Sequence, residues 1–308
     1  MPAPLGDARP DASTGLPVTL LDAAVILLAG LGAGAMNAVV GAGTLITFPT
    51  LLALGFPPVV ANVSNTVGLV PGGVAAAYGF RATLTGRARL VLRLAVASAV
   101  GGVIGGALLL VLPSEAFEVV IPPLLLLSAV LAAAQPRVAT WVTARRERRE
   151  LAERAADDPD AVQVDDAPAS DLPSAHVPVH DAPVAPGPVE IRLGPALYTI
   201  VFLTGIYGGY FGAAQGVILL AVLGSFVAGG MPQVNGIKNV LAGIANLVSA
   251  VLFIAVADVD WRVAGLVALG ATVGGLLGSR YGRRLPARPL RALVVLVALS
   301  AAVWQFVT

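Results

Sequence analysis

The chain is organised around Gly205–Asn246, which reads GIYGGYFGAAQGVILLAVLGSFVAGGMPQVNGIKNVLAGIAN. Its residues are apolar enough for a lipid bilayer, but glycines and Pro232 interrupt it. It also contains Lys238, which is the only lysine in the chain. An ionisable side chain is costly to bury in a membrane, so its presence there indicates a functional site. The stretch therefore predicts a membrane protein with a polar site at a break between helices.

The composition assigns the chain to the all-α polytopic membrane proteins. Of its 308 residues 57% are hydrophobic and only 12% are charged, whereas soluble domains carry about 25% charged residues. About eight apolar runs are long enough to cross the hydrocarbon core as full transmembrane helices. These predicted spans are Thr19–Val40, Val59–Tyr78, Leu90–Leu112, Ala116–Ala134, Leu193–Phe211, Val234–Val256, Val263–Ser279 and Leu290–Val307.

Two further apolar segments, Thr44–Leu54 and Val217–Ala228, each follow a glycine-rich break. At roughly a dozen residues they are too short for ordinary spans, which need about 20. Such segments are typical of re-entrant or discontinuous helices, whose irregular ends are buried in protein. Both alternatives stay open at this point.

The charged residues divide the chain into four parts. We expect a disordered tail over 1–18, a first transmembrane repeat over 19–134, a hydrophilic and largely disordered linker over 135–192 and a second transmembrane repeat over 193–308. The linker starts with an arginine cluster and continues as an acidic, proline-rich sequence that cannot bury a core. By the positive-inside rule the arginines put the linker in the cytoplasm of a cell (inner or plasma) membrane protein. We interpret them as a topology signal in preference to a nucleic-acid or lipid-specific patch.

The two halves share a layout. Each contains a glycine-rich break, a short apolar segment, a Gly/Pro turn and a helix rich in small residues. The first copy is NAVVGAGTLITFPTLLALGFPPVVANVSNT (Asn37–Thr66), and the second is GGYFGAAQGVILLAVLGSFVAGGMPQVNGIKN (Gly208–Asn239). The corresponding positions are Gly41 and Gly212, Pro58 and Pro232, and Asn65 and Asn239.

The charge distribution also predicts that the two repeats are inverted. The span ending near Tyr78 exits to the cytoplasm, while the matching span ending near Val256 exits outward. Paired Gly/Pro-interrupted segments in two such halves indicate a transporter's binding site. A broken helix frees backbone N–H groups at its N-terminus, where the helix dipole adds positive charge. Two facing breaks would therefore form a cradle for an anion.

Candidate ligands for the anion come from both breaks and from the helices that follow them. Lys238 could instead extend its charge to the lipid headgroups, and the amides could simply join membrane helices by hydrogen bonds. The candidate substrate-binding residues are Lys238, Asn239, Asn235, Asn246, Gln215 and Gly212 in the second half, and Gly41, Gly43, Asn62, Ser64, Asn65 and Thr66 in the first.

Several classes of function are not expected. The chain has no cysteine, and its two histidines, His176 and His180, lie in the linker. No Ser/His/Asp set, paired acids, metal-ligand cluster or phosphate-binding loop is present, so we expect no enzyme, no metal, no cofactor and no ATP-driven transport. The expected partners are a small anionic substrate and the lipid bilayer, not nucleic acid. A homo-oligomer stays open.

At these residues the chain resembles the sulfite exporter TauE/SafE family, also called the four-toluene-sulfonate uptake permease family. The resemblance rests on GAGTLITFPTLLALGFPPVVAN (Gly41–Asn62) and on the motifs within Gly208–Asn246, and it covers both membrane halves. It implies transport of sulfite, sulfonates or related organic anions across the inner membrane. The chain departs from the usual pattern at Gly212–Gln215, where GAAQ replaces a more glycine-rich run, and in its long linker.

The sequence therefore predicts a secondary transporter or facilitator of small anions, with the substrate bound between two broken-helix motifs. The alternative is a membrane scaffold or partner-binding subunit that uses the long cytoplasmic linker as a docking segment.

Overall fold

The computed structural model describes residues 18–157, 194–227 and 230–281, and every regular element in these ranges is a helix. Most of the predicted linker, most of the tail and the predicted last span Leu290–Val307 lie outside the described residues. The helices are α1 (Leu20–Val39), α2 (Thr44–Ala53), α3 (Pro58–Gly79), α4 (Ala88–Val111), α5 (Ser114–Asp157), α6 (Pro195–Tyr210), α7 (Gln215–Phe226), α8 (Met231–Val256) and α9 (Trp261–Tyr281), with a 3-10 turn at Arg81–Leu84.

Six of the described helices are long and apolar enough to cross a membrane: α1, α3, α4, the part of α5 up to Arg145, α8 and α9. The predicted span Leu193–Phe211 corresponds to α6, which has 16 residues. The two short apolar helices that the sequence predicts are present as α2, with 10 residues, and α7, with 12 residues. The multi-pass helical class is therefore confirmed.

Helix α5 is longer than the sequence analysis predicts. It runs for 44 residues to Asp157, although the predicted span ends at Ala134 and the predicted disordered linker starts at Gln135. The added part is rich in alanine, arginine and glutamate, which are strong helix formers, and this local preference sustains the helix. At 1.5 Å per residue the helix is about 66 Å long, roughly twice the thickness of the hydrocarbon core.

The long helices pack as two groups of three parallel helices, one made of α1, α3 and α9 and the other of α4, α6 and α8. Glycines of α4 and α9, within Gly101–Gly106 and Gly270–Gly278, bring the backbones together in both groups. A Cβ at Gly274 would overlap the Leu31 carbonyl of α1, and a Cβ at Gly105 would overlap the Ile206 carbonyl of α6. At both positions only glycine allows the two helix backbones to approach this closely.

The two groups run in opposite directions. The Thr83 hydroxyl donates to the Pro232 carbonyl at 3.3 Å, which joins the turn after α3 to the start of α8. At the other end the backbone N–H of Asp260, just after α8, donates to the Ser64 hydroxyl near the start of α3 at 2.8 Å. Helices α3 and α8 are therefore antiparallel, and every helix of one group opposes those of the other.

An aromatic cluster fixes the short helix α2 against its neighbours. Phe48 of α2 contacts Phe211 edge-on, with 5.3 Å between ring centroids, and Phe117 of α5 packs edge-on against both rings. Such edge-to-face pairs contribute about 0.5–1.5 kcal/mol each beyond the area they bury. The cluster connects the first half of the chain to Phe211, which lies in the link between α6 and α7.

A glycine pair on α9 tests how far the fold depends on close helix approach. Gly274→Ala should destabilise the protein by about 1–3 kcal/mol, because the added methyl overlaps the α1 backbone. Gly265→Ala on the same helix meets no atom within 4 Å and should be neutral or slightly stabilising. Thermal unfolding of the purified protein in detergent checks both variants. Equal melting temperatures for the two would contradict the packing assigned to Gly274.

Candidate functional site

The first break lies between α1 and α2 and reverses the chain in four residues. The N–H groups of Val40 and Gly41 both donate to the Met36 carbonyl, at 2.7 and 3.0 Å, and Gly41 has a φ of +84°. This is the usual way to end a helix with a left-handed glycine. The N–H of Gly43 then donates to the side-chain oxygen of Asn37 at 3.2 Å. An amide of α1 therefore stabilises the start of α2.

The second break, between α6 and α7, has the same backbone arrangement. The N–H groups of Phe211 and Gly212 both donate to the Tyr207 carbonyl at 3.0 Å, and Gly212 has a φ of +75°. The correspondence between Gly41 and Gly212 that the sequence indicates is therefore matched by their conformations. Each glycine is the second residue of a four-residue link between a helix and the short helix that follows it.

The two breaks touch each other directly. The N–H of Gly216, in the first turn of α7, donates to the Gly41 carbonyl at 3.0 Å. A Cβ on either glycine would overlap the Cα of the other. The contact therefore requires glycine at both positions, and it joins the two halves at the point where both helices are interrupted.

Two side chains that the sequence analysis did not select hold the second break. The hydroxyls of Tyr207 and Ser128 both donate to the carbonyl of Ala213, the latter at 3.1 Å, and also contact each other. Ser128 is fully buried on α5, and it could have been noticed as a lone hydroxyl in an otherwise apolar span. Ala214 takes the left-handed conformation, with a φ of +58°. This is one of the positions where the chain departs from the glycine-rich pattern.

Lys238 is completely buried, with an exposed fraction of 0%. Its ammonium lies at the C-terminal end of α1 and donates to the carbonyls of Asn37 and Ala38 at 3.3 Å and of Val39 at 3.5 Å. Because these carbonyls are at the negative end of a helix that stops inside the protein, a cation there is favourable. The alternative in which Lys238 reaches the lipid headgroups is therefore wrong.

Neighbouring amides bind the same two helix ends. The side-chain nitrogen of Asn239 donates to the Ala38 carbonyl at 3.2 Å, next to the lysine. The side-chain nitrogen of Asn62 donates to the carbonyl of Tyr210, the last residue of α6, at 3.0 Å. Helix α8 thus satisfies the interrupted end of α1, and α3 does the same for α6.

Three buried polar atoms near the breaks have no hydrogen-bond partner among the described residues: the side-chain oxygen of Asn62 and the side-chain nitrogens of Asn65 and Gln215. Asn65 is 0% exposed, and its side-chain oxygen accepts a hydrogen bond from the Thr47 hydroxyl of α2. Gln215 is 2% exposed, and its amide lies against Gly208 of α6. Buried polar atoms are normally paired, so the missing partners are unusual. The side-chain oxygens of Gln233 and Asn235 on α8 are also without a partner among the described residues, but of the five atoms only those of Asn65 and Gln215 are donors.

The remaining predicted residues differ in their surroundings. A Cβ on Gly212 would lie 3.7 Å from the side-chain oxygen of Asn246, so Asn246 is near the second break. Asn235 donates to the Met231 carbonyl at 3.2 Å, and Thr66 donates to the Asn62 carbonyl at 2.9 Å, both within their own helices. Ser64 bonds to Asp260, as described above. These last contacts satisfy backbone groups and do not bring the three side chains together.

The described part of the chain contains no group of three or more His, Cys, Asp or Glu residues that could hold a metal ion. The polar groups gathered at the breaks are instead amides, hydroxyls, one ammonium and backbone groups. This set donates hydrogen bonds and carries positive charge, so it can bind an anion.

Comparisons with known proteins identify the family. The model of the sulfite exporter TauE/SafE family matches residues 26–304. A probable membrane transporter protein, ORF9, from Sinorhizobium sp. is 23% identical over 284 residues, which covers 91% of this chain and 90% of the relative. A probable membrane transporter protein from Haemophilus influenzae is 21% identical over 277 residues, covering 89% and 91%. No solved structure gives a significant match.

The strained alanine in the second break gives a stability test. Ala214→Gly should raise the melting temperature by roughly 2–4 °C, because the left-handed conformation costs a non-glycine residue about 1–2 kcal/mol and glycine avoids most of it. Ala213→Gly is the matched control and should lower the melting temperature or leave it unchanged, since Ala213 does not have a positive φ. An equal loss of stability in both variants would contradict the strain at Ala214.

Proposed function

The chain belongs to the sulfite exporter TauE/SafE family, and on that premise we propose that it is a secondary transporter or facilitator of small anions in the cell membrane. We propose sulfite, sulfonates and related organic anions as substrates, bound between the two breaks. The proposal of membrane transport rests on membership of the family. The choice of an anion and of the binding residues comes from the chemistry of the breaks.

The observation that carries the proposal is the pair of unpartnered amide nitrogens on Asn65 and Gln215. Each is an obligatory hydrogen-bond donor, and leaving such a group buried without an acceptor costs about 1–3 kcal/mol. The oxygens of sulfite or a sulfonate are strong acceptors, and an ionised acceptor roughly doubles the strength of such a bond. An oxyanion would therefore remove both penalties when it binds.

Charge supports the same choice. Gln215 is the first residue of α7, and the positive end of that helix dipole lies beside it. Lys238 adds the field of an ammonium at the adjoining break, although its donors are occupied by the α1 carbonyls. Among the described residues of α1, α3, α7 and α8, the only carboxylate is Asp22, which is exposed at the start of α1. A cation would find no counter-charge there.

The two breaks differ in a way that favours binding at the second. When Gly41 is aligned with Gly212, Gly208 stands where the first half has Asn37. Asn37 already accepts the N–H of Gly43 and so completes the first break. In the second half an amide comes instead from Gln215, against Gly208, and its nitrogen is unpartnered. Asn37 supplies a hydrogen-bond acceptor at the first break. We propose that the bound substrate supplies the acceptor that is missing at the second.

The proposed ligands are therefore the side-chain nitrogens of Asn65 and Gln215, with Asn62, Asn239, Asn246 and the backbone of the break glycines around them. Gly41, Gly43 and Gly212 allow the backbone to approach the anion closely. Lys238 contributes charge. Ser64, Thr66 and Asn235 are neighbours in this proposal, because their side chains already hydrogen-bond to backbone groups.

We also propose that the two halves form an inverted repeat, as many secondary transporters do. We match α1 with α6, α3 with α8, and α4 with α9. This exchange converts the group α1, α3 and α9 into the group α6, α8 and α4. The opposite directions of α3 and α8 support this relation, and so do the matching ends of α1 and α6. In such an arrangement the breaks lie near the bilayer midplane, where alternating access requires the site.

Transport by the protein in reconstituted vesicles tests the proposal. Gln215→Ala and Asn65→Ala should each reduce the flux of sulfite at low concentration by about tenfold or more, which corresponds to losing one hydrogen bond to a charged group. Gln233→Ala is the matched amide control at the start of α8 and should retain the flux. Melting temperatures report whether each variant is folded.

A wild-type protein that moved none of sulfite, alkyl sulfonates or small carboxylates would overturn the proposed function. Wild-type flux in folded Gln215→Ala and Asn65→Ala would instead overturn the binding site while leaving anion transport intact.

A further inference from the structure

The C-terminal end of α1 has the form of a cation site. The carbonyl oxygens of Asn37, Ala38 and Val39 all lie 3.3–3.5 Å from the Lys238 nitrogen. These distances are long for charge-assisted hydrogen bonds, which are typically about 2.7–2.9 Å. The ammonium is therefore shared among three carbonyls and is not bound tightly to any one of them.

Such carbonyls need a cation or donors for a physical reason. Helix α1 stops inside the protein, so its last carbonyls have no partners within the helix, and the helix dipole makes them more negative. Broken helices in secondary transporters use unwound carbonyls and helix C-termini of this kind to bind coupling cations. Here the Lys238 side chain, which is fully buried, occupies that position.

No neighbouring element supplies a carboxylate that would pair with the ammonium. Asp258 and Asp260 lie in the link after α8, at the end of that helix away from Lys238. On the described helices and the 3-10 turn that pack against α1 and α8, and on α1 and α8 themselves, the titratable or charged groups other than Lys238 are Asp22 on α1, Tyr78 on α3, Arg81 on the 3-10 turn, Arg89 and Arg93 on α4, Tyr198, Tyr207 and Tyr210 on α6, and Arg262, Arg280 and Tyr281 on α9. The single acid among them, Asp22, is exposed and hydrogen-bonded to Thr19 at the far end of α1. The lysine charge is thus balanced by the carbonyls.

We propose that these three carbonyls form a monovalent-cation site that Lys238 fills permanently, and that transport by this chain consequently needs no sodium ion. The site exists whether or not the chain transports anions, whereas its consequence for sodium rests on the proposed function. A cation site of this kind also explains why a lysine is present here in a chain whose other basic side chains are mostly arginines. The lysine ammonium is compact and is carried on a long flexible stem.

Lys238→Ala opens the site and tests it without any transport measurement. The variant should have a lower melting temperature than the wild type in choline chloride, because choline is too large to replace the ammonium. Sodium, potassium or propylammonium chloride at the same ionic strength should restore stability, with a rise of about 5 °C or more once the cation is well above its dissociation constant. Propylammonium has the atoms that the substitution removes.

Ser249→Ala is the matched control for this measurement. Ser249 is a buried residue of α8 that also binds a backbone carbonyl, that of Gly102 at 2.9 Å, but it carries no charge. Its melting temperature and that of the wild type should not depend on which cation is present. A Lys238→Ala variant that responds to small cations no more than these two would overturn the proposal.

Lys238→Met keeps the proposal testable if Lys238→Ala does not fold. Methionine fills most of the volume of the lysine stem without its charge, so this variant should melt below the wild type. A wild-type melting temperature for Lys238→Met would overturn the proposal, because the carbonyls would then need no cation.

The flux of sulfite in vesicles tests the consequence for transport. Wild-type flux should be unchanged when sodium is replaced by choline on both sides, and a sodium-dependent flux would overturn the inference while leaving anion transport in place. Absence of any anion flux in the wild type would overturn the proposed function, and the melting experiments would still decide whether the cation site exists.

Discussion

A helix that stops inside a membrane protein must have its free backbone groups satisfied by the protein itself, and the centre of this structure follows from that requirement. Lipid offers no hydrogen bonds, so each unpaired carbonyl or N–H costs several kcal/mol. Helices α1 and α6 both stop in the interior, and each break is completed by groups from elsewhere in the chain. Lys238 and Asn239 bind the end of α1, and Asn62 binds the end of α6.

The close packing of the long helices makes these contacts possible. Each half of the chain contributes helices to both parallel groups. The C-terminal end of α1 therefore contacts α8, and that of α6 contacts α3. Glycines allow that approach where α1 meets α9 and where α4 meets α6. The direct contact between Gly41 and Gly216 then fixes the two breaks to one another. The polar site therefore depends on small residues that carry no chemistry themselves.

The two breaks have the same backbone arrangement but differ in the side chains that bind to them. Asn37 completes the first, whereas the second is held by Tyr207 and Ser128 and retains an unpartnered amide on Gln215. In the function that we propose, such free donors bind a small oxyanion. The sequence groups Lys238 with the amides as substrate ligands, but their contacts differ. Lys238 binds helix carbonyls, whereas the side-chain nitrogens of Asn65 and Gln215 have no partner among the described residues.

The sequence by itself determined the membrane class, the two short helices and the pairing of Gly41 with Gly212. It could do so because the hydrophobicity of a span, its length and the glycine and proline positions are local properties. It also predicted that Lys238 lies in a polar centre, since it is the only lysine and stands within an apolar stretch. Helix α5 exceeded its predicted end because local helix preference continues where hydrophobicity stops.

Only the tertiary structure decided what Lys238 and the amides contact. In the sequence the lysine is 200 residues from the Ala38 carbonyl that it contacts. Ser98 and Ser249 likewise bind carbonyls of another helix, those of Leu241 and Gly102, which are 143 and 147 residues away. Which donor meets which carbonyl depends on the crossing of helices from different halves, and no local pattern records that crossing. Ser128 was missed for the same reason, because a lone serine in a span acquires its role only when α5 packs beside the second break.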